Sequence, residues 1–258
     1  MNNISKLTKI CKSLTIGKNN LIGDNVKIME NVIIGNNNKI YDHTIIYPNT
    51  IIGNNNIFLN NNKIGELGVQ SNIDYETFEF KYNGLEIGNN NFFHVNNIIF
   101  NGYENKTIIG NNNKILAENH VGHDTQIYNN VILYPRCITG GSSKILSRAT
   151  MGMNSTIQQR KVLGSYSMIG AGNNVSHNVF PFFIFFNNQY IRYNTHIIPK
   201  DFEIHKINLK EIINYIKINS FDEHIINEIK NLPENIKGPI LDFYINLETN
   251  SYSKQRTI

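Results

Sequence analysis

From Ile16 to Ile64 an aliphatic or aromatic residue returns at every sixth position: Ile16, Ile22, Ile28, Ile34, Ile40, Ile46, Ile52, Phe58 and Ile64. The beat resumes at Ile87, Phe93 and Ile99, then runs from Ile109 to Val175 with Thr139 as its one polar member. A helix brings apolar positions back near every 3.6 residues and a half-buried strand every two, so neither accounts for six. Six is the period of a parallel β-helix, in which each repeat is one short strand and one corner. Three hexads close a triangular coil, and coils stacked at a strand spacing of about 4.8 Å place residue i beneath residue i+18. The apolar residue of each hexad faces the prism interior. The Gly that often follows it, as at Gly17, Gly35 and Gly53, is expected to let the backbone round the corner. The Asn runs at 36–38, 54–56, 89–91 and 111–113 fall in corners, where Asn tolerates the left-handed conformation. No chemistry is read into them.

The beat breaks at about residues 66–86 and 100–108 and stops near Val179. Loops ejected from a rigid repeat are where function collects. Phe180 to Phe186, around Pro181, is an aromatic cluster expected to cap the open end of the prism, since solenoids need a cover on the last repeat. Beyond it the spacing turns helical: one stripe of Leu209, Ile212, Ile213 and Ile216, another of Ile225, Ile226, Ile229 and Leu232. Pro233 and the Gly238-Pro239 pair read as punctuation, with a third helix around Ile240–Leu247. The expected layout is a β-helix over 1–180, then a cap and a small α-helical domain over 181–258.

Composition narrows the classes. The chain has 258 residues and a formal charge of +4. That balance suits phosphate-bearing substrates or an acidic carrier, and no basic block alternates with aromatics as nucleic-acid binding would require. Cys11 and Cys137 are isolated, so neither a disulfide framework nor a zinc site is expected. A metal-dependent repeat hydratase would need three convergent His ligands, and His120-x-x-His123 does not supply them. The N-terminal stretch lacks a continuous apolar core and no run is long enough to span a bilayer, giving a cytoplasmic expectation without a membrane span.

The clearest chemistry is Asn119-His120-Val121-Gly122-His123-Asp124. Val121 is the inward residue of its hexad, so His123 and Asp124 lie at the next corner. Gly141 falls one coil above His123, and Gln159 one coil above that. An imidazole beside a carboxylate, under a Gly whose N–H can donate, is an acyl-transfer arrangement: base, orienting carboxylate, oxyanion donor.

On these residues the chain resembles the UDP-N-acetylglucosamine O-acyltransferases of lipid A synthesis, hexapeptide-repeat enzymes. The shared features run over nearly its full length: a coil with two ejected loops, His-x-x-His-Asp past the second, and a Pro-containing exit into a helical C-terminal region. The resemblance implies a left-handed, all-β parallel β-helix with that helical appendage, and three copies around a threefold axis. It implies His123 as general base, Asp124 as its partner and the Gly141 N–H at the oxyanion. Lys81-Tyr82-Asn83-Gly84 resembles a family Lys-Tyr-x-Gly whose Lys contacts substrate, and reads equally well as an exposed loop. Three positions depart from the family. Ser142 stands where it has a His, Gln158-Gln159 where it has His-Gln, and Pro199-Lys200-Asp201-Phe202 where it has Arg-Arg-Gly-Phe.

A second resemblance, of Met151–Ile157 and Ile169–Gly172 to the last coils of sugar N-acyltransferases, implies a coenzyme A thioester as donor. Arg160, Lys161, Ser165 and Tyr166 are then candidates for its groove, or an ordinary polar outer face. The leading expectation is therefore transfer from acyl-CoA or acyl carrier protein to the amine of a UDP- or dTDP-linked sugar, feeding a surface polysaccharide. Lys81, His120, Ser142, Gln158 and Gln159 would read that acceptor, and no tightly bound cofactor is expected. The O-acyltransferase of lipid A synthesis and a silent β-helix scaffold are the alternatives.

Overall fold

The computed structural model describes residues 1–68, 76, 77, 79, 81–187, 189–194, 229 and 232–251. The hexads form a left-handed parallel β-helix of about ten turns. Its strands are mostly two residues long and run from β1 (Asn3–Ile4) to β26 (Asn174–Val175). Every third strand joins the same sheet, giving faces of eleven, nine and eight strands. Lys39↔Ile57 and Leu133↔Met151 show the eighteen-residue register. The inward residues Ile40, Ile46, Phe58, Phe93, Ile115 and Leu133 have no exposed surface, and Phe58 stacks on Phe93 with centroids 4.5 Å apart.

The corner glycines act differently from the expectation. Gly17, Gly35 and Gly53 are not among the positive-φ residues. The left-handed position falls two residues later, at Asn19, Asn37 and Asn55 (φ 59, 57 and 58°). What requires glycine is the coil above: a Cβ on Gly35 would lie 2.5 Å from the Gly53 carbonyl oxygen.

The asparagines do more than turn. Asn20, Asn38, Asn56, Asn91 and Asn113 form a buried ladder in which each side-chain oxygen accepts the backbone N–H of the next, at 2.8–2.9 Å. The Asn38 amide also donates to Gly53 O at 2.9 Å. Each coil thereby satisfies backbone groups that the two-residue strands leave unpaired.

β27 (Phe183–Phe186) pairs in parallel with β25 (Met168–Ile169) and turns back into antiparallel β28 (Gln189–Tyr193). Phe185 completes the inner core, while Phe180, Phe182 and Phe183 face a second apolar cluster with Ile229, Leu232, Ile236, Ile240, Phe243 and Tyr244. One helix is described, α1 (Glu234–Ser251). It contains the expected Ile240–Leu247 segment, but Gly238-Pro239 lies inside it rather than ending it. Ile236 and Ile240 flank the proline and are fully buried, and that packing outweighs the missing Pro N–H. Pro233 sits at the start, its carbonyl accepting the N–H groups of Ile236 and Lys237 at 2.9 and 2.8 Å. The stripes at 209–216 and 225–232 lie outside the described residues, apart from the buried Ile229 and Leu232. Among the described residues no helix is long and apolar enough to cross a membrane.

Candidate active site

One edge of the prism carries both breaks in the repeat and the His-Asp corner. β11 (Lys63–Glu66), β14 (Ile98–Phe100) and β17 (His120–Val121) are successive strands of one sheet, followed by β20 (Ile138–Thr139) and β23 (Thr156–Ile157). The first ejected loop leaves after β11, the second after β14, and the His123-Asp124 corner follows β17. Three irregular corners are thus stacked on one another, with Gly140–Ser143 and Gln158–Lys161 above them.

Asp124 holds the left-handed position of its corner, φ 58°, which turns its short side chain back under the second loop. Its carboxylate accepts the N–H groups of Tyr103 (2.9 Å), Glu104 (3.1 Å) and Asn105 (2.8 Å). Its own N–H donates to Thr107 Oγ1 at 2.9 Å. Its other oxygen lies 2.8 Å from His123 Nδ1. Burial alone would raise the Asp124 pKa, but the hydrogen bonds from His123, Asn105 and Tyr103 outweigh it, and the carboxyl titrates below its usual range. An ionised carboxylate only accepts, so it fixes the proton on His123 Nδ1 and leaves Nε2 with a free lone pair. The side chain of His123 is 21% exposed against 3% for Asp124: the base is reachable, its partner is not.

Glycines make room around this ring. A Cβ on Gly141 would lie 2.6 Å from His123 Nε2, and one on Gly68 would lie 2.7 Å from the His123 Cβ. A Cβ on Gly122 would stand 2.7 Å from the Gly141 nitrogen. At the same hexad position on another edge, Asn36 N donates to the Asn54 side chain one coil up, whereas among the described residues the Gly141 N–H has no acceptor. Tyr103 closes one side of the imidazole, edge to face at 5.8 Å.

The expected residues divide into groups. Ser142 lies directly above Asp124 and donates its N–H to His123 O at 2.8 Å. His120 projects outward from β17 against Phe100, with centroids 4.7 Å apart. Lost hydration, followed by the neighbouring His123, lowers its pKa. Gln158, Gln159 and Arg160 are exposed two coils above the His-Asp corner, with Lys161 half-buried beside them. Ser165 and Tyr166 belong to a different edge, after β24 (Val162–Leu163). Ser165 is buried, and Tyr166 stacks on Phe182 at 5.4 Å beneath Arg148. The four proposed donor contacts therefore do not share one groove. Lys81 is exposed on the returning limb of the first loop. Sequence reasoning missed Tyr103, Thr107 and Gly68, and did not see that Gly122 keeps the Gly141 N–H open.

Residues 13–46 match the bacterial transferase hexapeptide (six repeats) family. The chain is similar to acyl-[acyl-carrier-protein]–UDP-N-acetylglucosamine O-acyltransferase of Sinorhizobium fredii, 37% identical over 30% of this chain and 28% of that protein. The protein of the same description from Nautilia profundicola is 35% identical over 42% of this chain and 45% of its own length. The matched segments thus span less than half of these relatives. The crystal structure of UDP-N-acetylglucosamine acyltransferase from Bacteroides fragilis superposes with a TM-score of 0.78 at 27% identity, covering 94% of this chain and 97% of that one. The Francisella novicida enzyme gives 0.78 at 23% identity, covering 93% and 90%. With its hexads, its coils and these relatives, the chain is a hexapeptide-repeat β-helix protein, related in sequence and in structure to UDP-N-acetylglucosamine acyltransferases.

Proposed function

We propose that the protein is an acyltransferase that moves an acyl group from an acyl carrier protein thioester to a hydroxyl of UDP-N-acetylglucosamine. The observation that carries this is the stacked triplet of carboxylate-held His123, Asp124 and an open Gly141 N–H on the edge where both loops emerge. His123 Nε2 takes the proton of the attacking hydroxyl as its oxygen bonds to the thioester carbonyl carbon. The Gly141 N–H donates to the oxygen that becomes negative. Collapse breaks the carbon–sulfur bond, and the imidazolium returns the proton to the leaving thiolate. Asp124 stays ionised throughout and stabilises the imidazolium. Lys81, His120, Ser142, Gln158 and Gln159 are the acceptor contacts on this reading, and a homotrimer is its assembly. Ile33, Ile51 and Ile108, exposed along one face of the coil, suit such contact.

The expected amine acylation with coenzyme A takes second place. Ser142 and Gln158-Gln159 still favour it, but Ser165 and Tyr166 do not line a groove with Arg160 and Lys161, and the relatives carry the O-acyltransferase description.

The test is thiol release from 3-hydroxyacyl carrier protein with UDP-N-acetylglucosamine, run against acyl-CoA with UDP- and dTDP-amino sugars. Turnover in the first pair that drops about 10²–10⁴-fold in His123→Ala is expected. Turnover only in the second would transfer the assignment to the amine acceptor.

A further inference from the structure

The His123–Asp124 pair is held by a loop that the repeat itself does not build. The N–H groups of Tyr103, Glu104 and Asn105 fix the carboxylate, so whatever sets the course of residues 102–105 sets the imidazole. Asn101, at the stem of that loop, is fully buried. Its amide nitrogen donates to Pro48 O at 3.0 Å, in a lower coil. Its amide oxygen accepts the Gly84 N–H at 2.6 Å, on the returning limb of the first loop. Its backbone N–H donates to Glu66 O at 2.7 Å, where the first loop departs, and a Cβ on Gly68 would meet its carbonyl oxygen at 2.9 Å. A second tie runs the other way: the Asn83 amide donates to Tyr103 O, inside the carboxylate cradle itself.

The geometry points to Asn101, together with Asn83, as a positioning residue for the His123–Asp124 pair. Its buried amide clasps both ejected loops to the coil and so aims the three N–H groups at the Asp124 carboxylate. Neither Asn touches His123, and neither belongs to the Asn ladders. The inference rests on the acyl-transfer reading for its kinetic consequence, not for its structural one. A displaced cradle would let Asp124 swing, and the imidazole would lose its single tautomer. Misplacement of a catalytic group by about 1 Å can cost ~10²-fold in rate.

The experiment uses the full chain with Asn101→Ala and Asn83→Ala. It measures carrier-protein-dependent acylation of UDP-N-acetylglucosamine beside ¹⁵N-detected NMR of the His123 imidazole. The expected result is a kcat lowered about 10–100-fold with KM within about twofold, and His123 nitrogen shifts moving from one tautomer toward a mixture. Folded variants with wild-type kcat and wild-type His123 shifts overturn it. Should Asn101→Ala fail to fold, the half-buried Asn83 decides alone. Should the wild type show no turnover with this pair of substrates, the acyl-transfer reading falls and the imidazole spectrum alone decides the clasp: a mixed tautomer upholds it, an unchanged one overturns it.

Discussion

Asp124 is the residue on which the site's charge depends. Its folded-state pKa lies below the ordinary Asp value of about 3.9. In that range the folded chain binds fewer protons than the unfolded one. The resulting stabilisation is present above about pH 4 and is lost as pH falls through the lowered folded value. Asp124→Asn should therefore be less stable than wild type in urea at pH 7, with the gap closing as pH falls through that lowered folded value. A gap that persists in acid would mean that the cradle holds the side chain by shape rather than charge. Gly122 makes a second test at this scale. Its replacement by Ala puts a methyl 2.7 Å from the Gly141 nitrogen, so turnover should fall about 10²–10³-fold, the usual worth of one oxyanion donor. The His-Asp pair and Gly141 were legible from spacing, because the eighteen-residue register converts sequence offset into height. Tyr103 and Thr107 were not: both lie in or beside a break in the beat, where offset no longer gives position.

At the scale of the element, two-residue strands cannot satisfy a corner's backbone, and the asparagine ladder supplies what is missing. Asn38→Ala strips the Asn56 N–H and the Gly53 carbonyl of their partners at once. Each buried orphan costs about 1–3 kcal/mol. The variant should lose more stability in urea than exposed Asn31→Ala by at least that margin. The sequence showed these residues turning corners but not hydrogen bonding between them, since nothing in a run of three asparagines says which one faces inward. Glycine was misread for a similar reason. Its spacing was plain, but the contact that demands it comes from the coil above. The punctuation at Gly238-Pro239 failed because buried Ile236 and Ile240 hold the helix together across it.

Over the whole molecule, the helix docks where the prism changes its surface. The corner that carries Gly17, Gly35, Gly53, Gly88 and Gly110 carries Tyr128, Leu146, Gly164 and Phe180 farther along. Leu146 and Phe180 pack in the outer cluster with α1, and Tyr128 donates to Asn246 Oδ1 at 3.0 Å. Phe243 meets Phe180 edge to face at 5.4 Å. Phe243→Ala should cost about 3–5 kcal/mol and free residues 234–251 to amide exchange while 85–133 keep their protection. Uniform deprotection would show helix and coil to be one cooperative unit.

The eighteen-residue register also bears on how quickly the chain finds its fold. All-β proteins are generally slow because their strands pair across long stretches of sequence. Here ladder partners such as Lys39 and Ile57 are 18 positions apart in a chain of 258, a ratio of about 0.07. That is the value of a helical bundle. Among the described ladder pairs, only the closures across the two loops, such as Phe58 to Phe93 and Ile99 to Val121, reach 35 and 22 positions. Winding can begin on either side of them, and the early bottleneck in refolding should be the zippering of the coil across the first loop.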